Sequence, residues 1–142
     1  KTTTIRMLST LLTPSKGEIV IDGINTNSDE KETKKKINVI SGGERNLYWR
    51  LTGKENLEYF GSLYGIDKKE LNNRIEECLK IVKLEDSSDV PVEKYSKGMK
   101  QRLQIAKGLI NNPDYILMFL RSELYEKLEP LLLTRYVTCQ KI

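Results

Sequence analysis

The sequence predicts an α/β fold with a helical subdomain. Segments with apolar residues at helical spacing alternate with short β-branched or uniformly apolar runs. The chain is 38% hydrophobic and 31% charged, which is the composition of a globular protein. Its 142 residues suffice for one domain or part of one. No apolar run approaches the roughly 20 residues that a membrane span needs.

The first third of the chain predicts two helices and two strands. The opening segment carries apolar residues at helical spacing and stops before Thr13-Pro14. A β-branched run closed by glycine follows, then a charged segment typical of a surface helix, then a second β-branched run. The predicted elements are a helix over 2–12 with Ile5, Leu8, Leu11 and Leu12 as its apolar face, a strand over 18–23, a helix over 29–36 and a strand over 37–41.

The middle and later segments predict longer helices with identifiable starts. Thr52 and Glu55 form a capping-box pair, Asp67 and Glu70 repeat the spacing, and Ser96 is placed to cap a third helix. The run 115–120 is uniformly apolar, as in the middle strand of a parallel sheet. The apolar stripes predicted for the three helices are Leu57, Phe60 and Tyr64; Leu71, Ile75, Cys78, Leu79 and Val82; and Met99, Leu103, Ala106 and Ile110.

Charge and composition exclude several kinds of chemistry. The sequence has no histidine, which excludes a histidine base or zinc ligand within it. The net charge of +4 is mild, and the run 34–36 is preceded by acidic residues, so a solvated helix face is favoured over a nucleic-acid contact. Two cysteines, Cys78 and Cys139, do not form a disulfide framework, and a reducing cytosol is expected, with Cys78 as a small core residue.

Three segments together resemble the nucleotide-binding subunit of ABC transporters. Lys1-Thr2-Thr3-Thr4 is similar to the end of a P-loop and is followed at the family's distance by residues 12–23. Tyr95-Ser96-Lys97-Gly98-Met99-Lys100-Gln101-Arg102 resembles the ABC signature, whose usual form is L-S-G-G-Q. A helical insert, 52–82, separates the two. The resemblance covers 1–118 and implies an incomplete P-loop NTPase (ABC ATPase) core with a helical subdomain at about 52–110, whereas the tail, 119–142, matches nothing in the family.

The resemblance implies a nucleotide site at the start of the chain. Lys1, Thr2 and Thr3 are the expected nucleotide-binding residues, with ATP and Mg²⁺ as cofactors. A lysine reaches the β- and γ-phosphates as a point charge, and the Thr2 hydroxyl is the expected Mg²⁺ ligand. The alternative is that Thr2 merely caps a helix.

The signature segment implies a second subunit. In the family this motif binds the γ-phosphate held by the opposite subunit, so Ser96, Lys97, Gly98 and Met99 are expected at the interface of a head-to-tail dimer. A serine hydroxyl, a glycine that admits a phosphate to the backbone and a helix start supply the chemistry. A capped helix without a ligand is the alternative interpretation.

The helical insert implies a membrane partner. In the family this subdomain grips a cytoplasmic helix of the permease, and the preceding loop responds to the γ-phosphate. Here Gly43 stands where the family usually has glutamine, so either Glu44 substitutes or the coupling differs. The segment 47–52 is expected to contact the permease, with ordinary core and surface packing as the alternative.

The resemblance fails after Met118. Phe119 and Leu120 occupy the positions of two acids that the family uses for Mg²⁺ and for the attacking water, and the switch histidine is absent. We therefore expect little or no hydrolysis. A fragment of an ABC ATPase gene, diverted near residue 119, is one explanation. The other is a shortened non-catalytic relative whose tail forms a helix with Leu124, Leu128, Leu131 and Leu132 as a packing stripe.

The predicted function is that of an ATP-binding subunit of an ABC transporter. It would couple ATP binding and hydrolysis to export through a permease, at the cytoplasmic face of a prokaryotic membrane. The exporter branch is favoured by the resemblance of the segments 42–50 and 95–102. Two alternatives are a non-catalytic module that docks on a permease or partner subunit, and a soluble relative acting on nucleic acid or ribosomes. The scattered charges do not favour nucleic acid as a partner.

Overall fold

The computed structural model describes residues 2–40, 46–118 and 135–138. They fall into two compact units, one made of 2–40, 113–118 and 135–138 and the other of 46–112. Within these ranges no helix is long and apolar enough to cross a membrane. The elements are α1 (Thr2–Leu8), β1 (Val20–Ile21), β2 (Ile24–Asn25), α2 (Glu30–Lys36), β3 (Ile37–Ile40), α3 (Gly53–Leu63), α4 (Lys68–Ile81), α5 (Lys97–Leu109), β4 (Tyr115–Met118) and β5 (Arg135–Thr138).

A parallel sheet of order β3-β4-β5 organises the first unit. Ile37 pairs with Tyr115, and Tyr115 pairs with Arg135. The uniformly apolar β4 lies in the middle, as predicted, because a central parallel strand is covered on both faces. The strand β5 is an addition to the prediction. Phe119, Leu120 and the leucine stripe proposed for the tail lie outside the described residues.

A two-residue hairpin precedes this sheet. The prediction of one strand over 18–23 is wrong in extent, because β1 ends at Ile21 and turns back into β2. Asp22 and Gly23 both have positive φ values, 50° and 77°, as a type I′ turn requires. The dipeptide Asp22-Gly23 is itself a strong hairpin signal, and the sequence interpretation missed it.

The first helix is shorter than predicted. It ends at Leu8, and Thr10 follows with a φ of 59° in the left-handed region. The backbone N–H groups of Leu11 and Leu12 turn back to the Arg6 carbonyl, at 2.8 and 3.1 Å. Leu11 and Leu12 are consequently exposed, so the predicted four-residue apolar face is wrong at its last two positions.

The charged segment forms the predicted surface helix α2. Asp29 caps it, since its side chain accepts from the Glu32 N–H. Lys34 and Lys35 pair with acidic residues one turn earlier on the same helix, Glu30 and Glu32. This lysine run is therefore a solvated, locally neutralised helix face.

Three helices form the second unit. α3, α4 and α5 contact one another in all three pairs. The stripe predicted on α4, including Cys78, is buried throughout. A Cβ at Gly61 of α3 would overlap the Leu71 side chain of α4, so the glycine permits a close helix approach. The predicted stripe on α3 is wrong at Tyr64, which is exposed.

Two arginines cap the helix pair reciprocally. Arg74 of α4 donates from Nη2 to the Leu109 carbonyl at the end of α5, at 2.8 Å. Arg102 of α5 donates from Nη1 to the Lys83 carbonyl just beyond the end of α4, at 3.0 Å. The last carbonyls of a helix lack intrahelical donors, so each guanidinium satisfies the end of its neighbour. These two contacts restrict sliding of α4 and α5 along each other.

Candidate functional site

The signature segment forms an exposed helix start. Ser96 is the N-cap of α5 and its Oγ accepts from the Met99 N–H at 3.2 Å. Ser96, Lys97 and Gly98 are exposed. The first N–H groups of an α-helix have no intrahelical acceptor, and the helix dipole favours an anion there. The predicted cap is confirmed, and Lys97 and Gly98, the first two residues of the helix, are exposed.

Gly98 leaves room beside the backbone. A Cβ at this position would meet only the Ser96 Oγ, at 4.0 Å. Among the residues that the structure describes, no side chain therefore fills the space beside the Gly98 backbone. This observation fits the nucleotide chemistry that the signature resemblance implies.

A buried tyrosine anchors the residue before the signature serine. Tyr95 donates from its hydroxyl to the Ser87 carbonyl at 2.5 Å. Burial raises the pKa of Tyr95 above its ordinary value. Its ring packs beside Gly53, where a Cβ would overlap the hydroxyl and lie 3.3 Å from Cζ. Tyr95 thus holds the entrance to α5 against the start of α3.

The backbone before the signature is paired with the turn that precedes α3. The Val92 N–H donates to the Leu51 carbonyl and the Glu93 N–H to the Trp49 carbonyl, each at 2.9 Å. We call this pairing the turn ladder. It joins the segment predicted to contact a permease to the segment that carries Ser96.

Asn56 holds the same turn from inside. Its side chain is 1% exposed. Its Oδ1 accepts from the Tyr48 N–H at 2.9 Å, and its Nδ2 donates to the Tyr48 and Thr52 carbonyls, both at 2.9 Å, and to the Leu51 carbonyl at 3.4 Å. One buried amide therefore fixes the conformation that presents Tyr48 outward.

An aromatic face surrounds a half-buried lysine on this unit. We define the aromatic face as Tyr48, Tyr59, Phe60 and Lys107. The Tyr48 and Tyr59 rings meet edge to face with centroids 4.8 Å apart, and the Tyr48 hydroxyl donates to that of Tyr59 at 3.2 Å. This bond raises the pKa of Tyr48. Tyr48 is 47% and Tyr59 42% exposed, so large apolar rings lie open to solvent.

Sequence reasoning singled out Tyr48 and Trp49 but missed Lys107 and Asn56. The Lys107 Nζ lies 3.8 Å from the centroid of the Phe60 ring, and the Lys100 Nζ lies 4.6 Å from that of Trp49. Lys100 and Lys107 are seven residues apart, a spacing that places both on one side of α5. This spacing was the signal in the sequence that could have pointed to Lys107. Their aromatic partners come from segments distant in sequence, which no periodicity reveals.

Several predicted site residues remain predictions. Lys1, Gly43 and Glu44 lie outside the described residues. Thr2 is the first residue of α1, its side chain is not described, and Thr3 is exposed. Within the described ranges, no three His, Cys, Asp or Glu residues come together as a metal site.

Comparison with known proteins identifies the family. A family profile described as "ABC transporter" matches residues 1–118. The ABC transporter ATP-binding protein NatA of Bacillus subtilis is 47% identical over 117 residues, which are 82% of this chain and 48% of that protein. The bacitracin transport ATP-binding protein BcrA of Bacillus licheniformis is 42% identical over 118 residues, 83% of this chain and 37% of that protein.

A solved structure agrees with these matches. The dimeric ATP-binding cassette MJ0796, in a post-hydrolysis state bound to ADP and Pi, superimposes with a TM-score of 0.75 at 31% identity, covering 99% of this chain and 69% of that one. The predicted α/β P-loop NTPase fold is thereby confirmed. The chain spans about half the length of NatA and less of BcrA. From its sequence and its fold, the chain belongs to the ABC transporter family of ATP-binding proteins.

Proposed function

We propose that this chain forms part of an ATP-binding subunit that couples ATP binding and hydrolysis to export through a membrane permease. The observation that carries the proposal is the open first turn of α5, with Ser96 as its cap and Gly98 leaving room beside the backbone. An exposed helix start of this kind suits a phosphate. The subunit would act at the cytoplasmic face of a prokaryotic membrane.

The nucleotide site would be shared between two subunits. Lys1 and Thr2 of one subunit would hold the β- and γ-phosphates and Mg²⁺, while Ser96 and Gly98 of a second, head-to-tail subunit would contact the γ-phosphate. Bound Mg²⁺ would neutralise phosphate charge and orient the triphosphate. The N–H groups of Lys97 and Gly98 would donate to the phosphate oxygens, since both residues are exposed.

Binding of Mg²⁺·ATP tests this arrangement directly. Gly98→Asp adds a carboxylate where the phosphate is expected, but an acidic residue in the first turn suits the helix dipole, so the fold should be preserved. Affinity for a fluorescent ATP analogue, and ATP-dependent association seen by sedimentation, should both fall by about tenfold or more. Asn72→Asp, which adds one negative charge at an exposed position of α4, is the matched control and should bind like the wild type. Equal binding by all three proteins, or no binding by the wild type, contradicts the proposal.

The aromatic face supports the permease as the second partner. Tyr48 and Trp49 are each about half exposed, at 47% and 49%, in the segment predicted for this contact. Exposed aromatic rings at one site are typical of protein interfaces. Export as the direction of transport follows from the resemblance to the exporter branch. BcrA, a relative, is named for bacitracin transport.

Hydrolysis by this chain is expected to be weak. Phe119 and Leu120 carry no carboxylate at the positions where the family places its Mg²⁺ and water-activating acids. Losing one preorganised group in a catalytic site costs on the order of 10²–10³ in rate. A steady-state phosphate-release assay should therefore give little turnover, and turnover at a rate ordinary for the family would contradict this expectation.

The second candidate is a docking module that does not require ATP. The aromatic face favours it, because this face lies wholly within the unit 46–112 and needs no nucleotide to form. A docking module should co-purify with its membrane partner after Lys1→Ala. An ATP-dependent subunit should lose nucleotide affinity with the same substitution.

A further inference from the structure

Two successive carbonyls connect the start of α3 to the start of α5. The Ser87 carbonyl accepts from the Tyr95 hydroxyl at 2.5 Å, and the Ser88 carbonyl accepts from the Lys54 N–H at 2.9 Å. Lys54 lies in the first turn of α3, where N–H groups have no intrahelical acceptor. Tyr95 immediately precedes Ser96, the N-cap of α5. These two carbonyls therefore hold both helix starts, and we call this arrangement the carbonyl link.

Tyr95 is fixed through its backbone and through its side chain. Its N–H donates to the Val92 carbonyl at 3.0 Å, while its hydroxyl donates into the carbonyl link. The residue is 4% exposed, and the Gly53 backbone lies so close to the hydroxyl that a Cβ there would overlap it. The ring is thus confined between α3 and the carbonyl link, and Ser96 follows it directly in the chain.

The Tyr95 hydroxyl is more than the burial of this side chain requires. An apolar side chain could fill the same space, and the usual form of the signature has leucine at this position. A buried hydroxyl costs free energy unless it is hydrogen-bonded, so it demands a partner in a defined direction. The Ser87 carbonyl is that partner. Tyr95 therefore adds a directional contact next to the signature serine.

We propose that Tyr95 is a positioning residue, whose hydroxyl bond to Ser87 sets the position of Ser96 and thereby its contact with the γ-phosphate. The inference rests on the proposed function and deepens it by assigning the residue that positions the signature serine. Groups that meet a ligand must be held within about 0.5 Å of the productive geometry. Ser96 is exposed and its Oγ is bonded within α5, so the buried residue before it supplies an anchor to the rest of the unit.

A double-mutant cycle between Tyr95→Phe and Ser96→Ala tests whether the hydroxyl acts through Ser96. Phe keeps the ring and removes the bond to Ser87, whereas Ala removes the cap bond from Met99. The two bonds share no atom, so independent contributions should add. Under the proposal, Ser96→Ala lowers the equilibrium constant for folding about fivefold in the wild type but about twofold or less in Tyr95→Phe. Urea unfolding of the full chain measures both factors.

Tyr115→Phe is the matched control for the loss of a tyrosine hydroxyl. The Tyr115 hydroxyl donates to the Asp22 Oδ1 at 2.7 Å in the first unit, and this bond is no part of the carbonyl link. Ser96→Ala should therefore keep its full factor of about fivefold in the Tyr115→Phe background.

Association that depends on ATP gives a readout that a merely structural role would not move. Tyr95→Phe should weaken the association of two subunits in Mg²⁺·ATP, measured by sedimentation, by about fivefold, the loss expected for one hydrogen bond. Its affinity for a fluorescent ATP analogue, measured at chain concentrations too low for association, should equal that of the wild type. The proposed phosphate-binding residues of the same subunit, Lys1 and Thr2, are unchanged in this variant. Tyr115→Phe should match the wild type in both assays.

Each contrary outcome has a distinct meaning. An equal factor for Ser96→Ala in the wild type and in Tyr95→Phe refutes the positioning role and leaves the proposed function, which Gly98→Asp tests separately. Coupling without weaker association refutes the connection to the γ-phosphate and with it the inference. Equal losses of analogue affinity and of association in Tyr95→Phe indicate a general structural defect and also refute it. A wild type that does not associate in Mg²⁺·ATP contradicts the proposed function and the inference together.

Discussion

Asn56→Ala should destabilise the chain by about 3 kcal/mol. The substitution removes three backbone hydrogen bonds of 2.9 Å and one of 3.4 Å, all made by a side chain that is 1% exposed. A hydrogen bond contributes about 1 kcal/mol net, and buried groups left without a partner add to the cost. The short bonds alone therefore account for the expected loss.

Asn56→Asp separates hydrogen bonding from packing. Aspartate has the same shape and can still accept from the Tyr48 N–H, but it has no donor for the carbonyls of Tyr48 and Thr52. As an ion it would also face those carbonyls in a buried site. Asn56→Asp should therefore lower the free energy of unfolding at least as much as Asn56→Ala does, that is, by about 3 kcal/mol or more relative to the wild type.

Urea unfolding followed by Trp49 fluorescence and by far-ultraviolet circular dichroism measures both losses. Asn72→Ala, an exposed position on α4, is the matched control because it changes helix propensity equally without breaking a buried contact. Its free energy of unfolding should stay within about 0.5 kcal/mol of the wild type. A loss below about 1 kcal/mol for Asn56→Ala, or a wild-type value for Asn56→Asp, would refute the role assigned to this amide.

Gly53→Ala should cost about 1–3 kcal/mol, because its Cβ would overlap the Tyr95 hydroxyl, and a second change, Tyr95→Phe, should restore part of the loss. Additive losses in urea titrations would argue against this contact. Burial raises the pKa of the Cys78 thiol to about 11 from an ordinary value of 9.0, so the stabilisation it contributes is present below about pH 9 and is lost as pH rises through 11. Between pH 9 and pH 11 the free energy of unfolding should fall more steeply with pH in the single variant Cys139→Ser than in the double variant Cys139→Ser/Cys78→Ser. Equal slopes in the two variants would contradict the raised pKa of Cys78. Ser96→Ala should cost about 1 kcal/mol through loss of the cap, whereas Ser96→Asp should keep the stability; thermal unfolding that ranks the two otherwise would disprove the cap.

Local patterns predicted the long helices well. The stripe from Leu71 to Val82 is buried as expected because a helix with one apolar face has one favourable way to pack. Capping residues also marked their helices correctly at Thr52 and Ser96, since a side-chain acceptor is needed wherever a helix begins. The motif around Ser96 was therefore placed on the right element from sequence alone.

Features that depend on distant partners escaped prediction. The strand β5 exists through pairing with β4, about twenty residues earlier, and its own sequence does not specify that neighbour. The early end of α1 is set by Thr10 in the left-handed region, which the leucines after it do not signal. Lys107 likewise acquires its environment from Phe60 and Asn46, which tertiary packing rather than sequence spacing brings to it.

The turn ladder makes two amides sensitive to events at the protein surface. The Val92 and Glu93 N–H groups can exchange with solvent deuterium only when their bonds to the Leu51 and Trp49 carbonyls open. A partner that clamps Trp49 would slow that opening, and the slower exchange would appear three to four residues before Ser96. Binding of a partner at Trp49 would thus change the local opening equilibrium of the segment that leads to Ser96.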